Sequence, residues 1–124
     1  MNFTSRRLSD VVIASAAGRI DHAGAEPFKA ALQPLIDQCV EGSDRVVLDF
    51  SGVEYISSVG LRVLILAAKQ VKAQKGAIVI AAMQPVVKEI FDISRFNYVY
   101  AAFPTVRDAI NDLSTQALAL YDAA

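Results

Sequence analysis

The side chains with chemical potential gather in one segment, Leu48 to Leu66, which reads LDFSGVEYISSVGLRVLIL. An apolar strand ends at Asp49-Phe50, Ser51-Gly52-Val53 is expected to turn the chain, and Ser57-Ser58-Val59-Gly60 opens a helix. Ser58 is the expected N-cap, since a serine hydroxyl there can accept an amide hydrogen from the first turn. The same position allows a second reading. A serine that opens a helix after a sheet strand sits at the sheet edge, where free amides and the helix dipole favour an anion. Phosphorylation there adds about −1.5 to −2 charges at neutral pH. The fold tolerates such a group at the positive end of the dipole, whereas a partner surface shaped for a neutral serine does not. Beyond Ser58, Leu61, Leu64, Ile65, Ala68 and Val71 form the expected core stripe. Val63, Leu66 and Ala67 leave Arg62 as the only polar interruption, so the helix start is either buried on two sides or held for a partner.

Other chemistries find less support. A serine hydrolase would need Ser58 as nucleophile, His22 as base and Asp21 or Asp49 to orient it, but no glycine lies two residues before Ser58 to form the nucleophile elbow. Neither glycine-rich phosphate fingerprint is present, which removes the usual cradle for a nucleotide. Cys39 and His22 are the only residues of their types, so an internal disulfide and the common structural zinc sites are excluded. No cofactor or metal is expected. Asp21 is expected to cap the first helix or to tie its loop to the sheet edge, with His22 a solvated neighbour. Arg62 and Arg95 are expected at the surface, where they could contact a partner or a phosphate, although surface arginines usually do neither.

The elements that position these residues follow from hydrophobic period. Val11 to Ala17, Arg45 to Phe50 and Ala77 to Ala82 are short apolar runs without clean alternation, as strands of a parallel sheet covered on both faces require. Weaker strands are expected at Phe3 to Leu8 and Tyr98 to Ala101. Helices are expected over Glu26 to Val40, with Pro34 on the exposed face and a kink there, and over Val59 to Lys75, stopped by Gly76. A third starts at Pro85 and a fourth at a Thr105–Asp108 capping box, with a stripe of Val106, Ala109, Ile110, Leu113, Ala117 and Leu120. The order β-β-α-β-α-β-α-β-α gives an α/β sandwich, a mixed, mostly parallel sheet with four helices. The 124 residues suit one domain, 1–124.

Charge and hydropathy bound the partners. Twelve basic against 13 acidic residues leave a net charge of −1 and no polycationic surface for nucleic acid. Gly76 to Val87, the longest uncharged stretch, holds a proline and falls well short of the ~20 apolar residues of a membrane span. Ser5-Arg6-Arg7-Leu8 before Val11–Ala17 imitates a twin-arginine export signal, but Asp10 interrupts it and the run reads better as a strand. A cytoplasmic location is expected.

The stretch Asp49-Phe50-Ser51-Gly52-Val53-Glu54-Tyr55-Ile56-Ser57-Ser58-Val59-Gly60-Leu61 resembles the signature of the STAS domain, specifically of bacterial anti-sigma-factor antagonists. Gly18-Arg19-Ile20-Asp21, Gly76 before the next strand, and Pro85 to Ser94 resemble further pieces of that family in order and spacing, so the resemblance covers nearly the whole chain. It implies a switch rather than an enzyme. The unphosphorylated protein would bind an anti-sigma factor that is also an ATP-dependent serine kinase. Phosphorylation at Ser58, with Ser57 as second choice, would inactivate it, and a PP2C-type phosphatase would reverse the change. The implied partner-binding residues are Asp21, Ser57, Ser58, Val59, Gly60, Arg62, Val63 and Leu66. Ser57 stands where many members carry aspartate, and Val59 where many carry serine or threonine. The alternative within the same fold is a STAS subunit of another assembly, a lipid-transport complex or a stressosome-like scaffold.

Overall fold

Strands that are apolar on both faces must be covered on both, and helices do this here. In the computed structural model, which describes residues 1–123, one five-stranded sheet has the order β1-β2-β3-β4-β5. The strands are β1 (Asn2–Leu8), β2 (Val11–Ile20), β3 (Arg45–Ile56), β4 (Ala77–Ala81) and β5 (Ala102–Phe103). β1 pairs antiparallel with β2 through a tight Ser9-Asp10 turn, and the other pairings are parallel. The helices are α1 (His22–Asp37), α2 (Ser58–Ala73), α3 (Pro85–Ile93), α4 (Val106–Leu113) and α5 (Thr115–Ala123). Alternate residues of β2, β3 and β4 feed two cores. Ala14, Val46, Leu48, Phe50 and Ile80 join Phe28, Leu32, Leu64, Val71 and Phe91 of α1 to α3. Val11, Ile13, Val47 and Val79 on the other face join Ala109, Ile110 and Ala117 of α4 and α5.

Several boundaries differ from the sequence expectation, each for a local reason. Among the described residues there are five helices, not four, because the last one breaks at Ser114. Its hydroxyl donates to Asp10 Oδ1 (2.7 Å) and accepts from the Ala117 amide (3.1 Å), so it starts a new helix. Leu120, expected in the core stripe, is consequently 49% exposed. α1 starts four residues earlier than expected and runs through both Pro27 and Pro34, which lie on its exposed side. It ends at Asp37, and Cys39 beyond it is buried, its thiol donating to the Ala77 carbonyl. Burial pushes that thiol above its ordinary value. The strand expected at Tyr98–Ala101 is instead a 3₁₀ turn at Phe96–Tyr98 followed by the short β5. Tyr100 turns inward there, and its buried hydroxyl donates to the Leu64 carbonyl of α2 (2.7 Å).

The stop of α2 also has an unexpected residue in the special conformation. Lys75, at φ 58°, takes the left-handed place after the helix, with Lys75 and Gly76 amides returning to the Lys72 and Val71 carbonyls. Gly76 is required for another reason: a Cβ there would collide with the Cys39 carbonyl. At the other end of the chain's helical set, the Thr105 hydroxyl accepts from the Asp108 amide (3.1 Å) and caps α4 as expected.

Candidate functional site

β3 passes through the middle of the sheet and outruns β4, whose last residue pairs with Asp49. No turn occurs at Ser51–Val53. The strand continues beside β2 to the Ile20–Ile56 pair, with two register shifts that each place an extra residue on β3. Such bulges twist a strand and re-aim its side chains. Gly52 makes the passage possible, since a Cβ there would lie 2.8 Å from the Cβ of Ala17. Asp49 accepts the Ser51 amide (3.0 Å) and the Ser15 hydroxyl (3.2 Å), which fixes the first bulge. Gln84, just before α3, donates to the Ser51 carbonyl (2.9 Å) and ties that helix to the same region.

Two adjacent strands therefore deliver two helix starts to one edge. The Ser57 amide donates to the Ile20 carbonyl (2.9 Å), the last rung between them. Ser57, in extended conformation, is the N-cap of α2, and its hydroxyl accepts from the Gly60 amide (3.3 Å). This corrects the expectation that Ser58 caps. Ser58 is the first helical residue, exposed, and its hydroxyl makes no hydrogen bond among the described residues. Asp21 caps α1, the first of its two expected roles, accepting from the Gly24 amide (3.0 Å), and His22 follows as an exposed residue. Gly60 is buried where α2 meets both strands. A Cβ there would lie 2.8 Å from methyl or methylene carbons of Ile20 and Ile56.

The apolar start of α2 divides between the two readings left open by its sequence. α2 packs on the sheet and also along α1, so Val63 and Ala67 turn into the core with Leu64 and Val71. Val63 thus retains only 9% exposure, at the side of a shallow groove between α1 and α2 that Lys29, Gln33 and Leu66 also line. Leu66 (45%), Val59 (39%) and Arg62 remain exposed. Farther along, Gln33, Gln70 and Asp37 form a polar clamp between the helices. Hydrogen bonds from Gln70 and Gln33 hold the Asp37 carboxyl below its usual range. Arg95, in left-handed conformation, lies at the far end of α3 and does not join the Ser58 edge.

One pair had no sequence signal. Arg19 and Tyr55 are register partners at the top of β2 and β3, and the Arg19 guanidinium lies 4.5 Å over the Tyr55 ring. Residues so far apart in sequence meet only because the bulges set that register.

Sheet order, register and the serine-opened helix define the class: a mixed α/β domain with an open edge where α1 and α2 begin. The chain belongs to the STAS domain family, whose family model matches residues 2–109. It is 38% identical over 100 residues to BtrV of Bordetella bronchiseptica, named as a candidate anti-sigma factor antagonist, covering 81% of this chain and 84% of that one. The fold is similar to that of an anti-sigma factor antagonist from Mycobacterium paratuberculosis (TM-score 0.81, 20% identity, 90% of this chain and 92% of the other). It is also similar to SpoIIAA, the anti-sigma factor antagonist, in its unphosphorylated form (TM-score 0.72, 19% identity, covering 90% and 96%). The phosphorylated form of SpoIIAA from Bacillus matches with a TM-score of 0.67 at 18% identity, covering 91% and 100%. Among the described residues, no helix is long and apolar enough to cross a membrane.

Proposed function

We propose that the chain is an anti-sigma-factor antagonist that works as a partner switch in the cytoplasm, contributing a surface and a hydroxyl rather than catalysis. The observation that carries this reading is the division of labour between two adjacent serines. Ser57 spends its hydroxyl on the α2 cap, whereas Ser58 is exposed and its hydroxyl makes no hydrogen bond among the described residues. The name of BtrV and the two forms of SpoIIAA support it. In the unphosphorylated state, Ser58, with Asp21, Val59, Arg62, Leu66 and the accessible margin of Val63, binds an anti-sigma factor that is a serine kinase. Ser57 and Gly60 shape that edge from beneath.

The kinase transfers the γ-phosphoryl group of ATP to Ser58 Oγ. The dianion is accommodated at the α2 N-terminus, where the helix dipole favours it, so the fold survives. The partner's surface, packed against a neutral serine and Val59, meets an uncompensated charge and releases. A PP2C-type phosphatase hydrolyses the phosphoserine and restores binding. The test is a pull-down from the native cell with the wild-type chain and with Ser58→Glu. Recovery of a kinase-type anti-sigma factor by the first bait alone supports the switch. Recovery of a transport complex or a multi-subunit scaffold would sink it and favour the alternative assembly.

A further inference from the structure

Arg19 and Tyr55 lie on the edge that carries Ser58 but perform no evident task in the fold. Arg19 precedes Ile20, whose carbonyl receives the Ser57 amide. Its side chain is 59% exposed, so burial does not explain its placement. The guanidinium is nevertheless held. Its Cζ sits 4.5 Å above the Tyr55 ring, a distance at which the ring quadrupole attracts a cation. Its Nε is 3.9 Å from Asp21 Oδ2, too long for a hydrogen bond, and Asp21 uses its other oxygen to cap α1. The Arg19 guanidinium thus makes no hydrogen bond among the described residues, while stacking limits its rotamers.

Most surface arginines lose considerable side-chain freedom when a partner fixes them. Here the tyrosine has removed part of that loss in advance, and arginine and tyrosine are the residue types enriched among binding hot spots. An ordered planar fork with unused donors matches a carboxylate, which can accept two parallel N–H bonds. We propose that Arg19, stacked on Tyr55, is a specificity residue of the docking edge, and that it takes an Asp or Glu side chain of the kinase-type partner. This rests on the function proposed above. Asp21 acts beside it by keeping the guanidinium over the ring, so the edge presents a fork of fixed direction rather than a diffuse positive charge.

The experiment is isothermal titration of the purified kinase-type anti-sigma factor with the wild-type chain and with Arg19→Ala, Arg19→Lys, Arg19→Glu and Ser58→Glu. Arg19→Ala is expected to weaken binding about 10- to 100-fold, the span of a charge-assisted bidentate contact, and to flatten its salt dependence. Arg19→Lys should restore only part of the loss, and Arg19→Glu should be rescued by reversing the partner's acidic residue to arginine. Unchanged thermal midpoints would separate these effects from folding, because the arginine is exposed. If all three Arg19 variants bind like wild type while Ser58→Glu does not, the arginine proposal is overturned and the switch stands. If no kinase-type partner is recovered, or Ser58→Glu binds as wild type does, the switch fails and the role of Arg19 fails with it.

Discussion

Replacing Gly60 by alanine probes the contact that sets the α2 start on the sheet edge. A Cβ at this position would sit 2.8 Å from Ile20 Cγ2 and from Ile56 Cγ1, and 3.0 Å from the Ile20 carbonyl oxygen, where ordinary contact begins near 3.4 Å. Ile20 and Ile56 are 0% and 2% exposed, so neither side chain has open space to retreat into. The Ile20 carbonyl is also engaged by the Ser57 amide, so that backbone cannot move without loosening the last rung between β2 and β3. Relief must come from α2 lifting by roughly half an ångström. Overpacking of this kind costs about 1–3 kcal/mol. The helix propensity gain of alanine over glycine returns at most about 1 kcal/mol, and less in the first turn. A net loss of about 1–2 kcal/mol is expected, seen in urea as a midpoint lower by roughly 0.5–1 M at unchanged slope. The lift also moves Ser57 and Ser58 off the edge, so partner affinity should fall by more than the stability loss alone explains. Wild-type stability and affinity in Gly60→Ala would refute the reasoning, because the glycine would then not be required by close approach.

Three further outcomes follow from the geometry. Ser57→Ala should destabilise the chain by about 1 kcal/mol through loss of the Gly60 cap, while Ser58→Ala should be near neutral in denaturant and unable to accept phosphate. If Ser58→Ala is still phosphorylated stoichiometrically, the acceptor is Ser57 instead. Lys75→Gly should stabilise by about 0.5–1 kcal/mol, measured by thermal melting, because glycine takes the left-handed φ of 58° without strain. Asp44 receives two hydrogen bonds of 2.7 Å from the Arg7 guanidinium, which hold its carboxyl below the ordinary value. A depressed folded-state value stabilises above the unfolded value near 4 and is lost as pH falls through the folded one. Asp44→Asn should therefore cost up to about 1 kcal/mol at pH 7, screened because Arg7 is exposed, and the gap from wild type in urea titrations should close below about pH 4.

Local chemistry makes much of this molecule legible in its sequence. Apolar runs without alternation marked β2, β3 and β4 as strands covered on both faces, and 3.6-residue stripes marked α1, α2 and α3. These signals depend on neighbours in the chain, so they are written in it. Asp21 as a cap, Thr105 as a cap and Pro85 at the first turn of α3 were visible for the same reason. The resemblance around Ser58 pointed to the STAS fold, and the residue types there pointed to a modifiable helix start.

Tertiary structure decided what depends on residues distant in sequence. Which of two adjacent serines caps α2 turns on where the Ile20 carbonyl holds the Ser57 amide, a contact between strands that local propensity cannot encode. The two bulges that carry β3 past the expected turn exist because β2 lies beside it and Gly52 can pass Ala17. Val63 and Ala67 went into the core because α1 packs along a second side of α2, whereas Leu66 stayed outside. The break at Ser114 needed Asp10 from the opposite end of the chain. Arg19 over Tyr55, at the edge that carries Ser58, is the same lesson: a pairing set by strand register, and register is a property of the sheet.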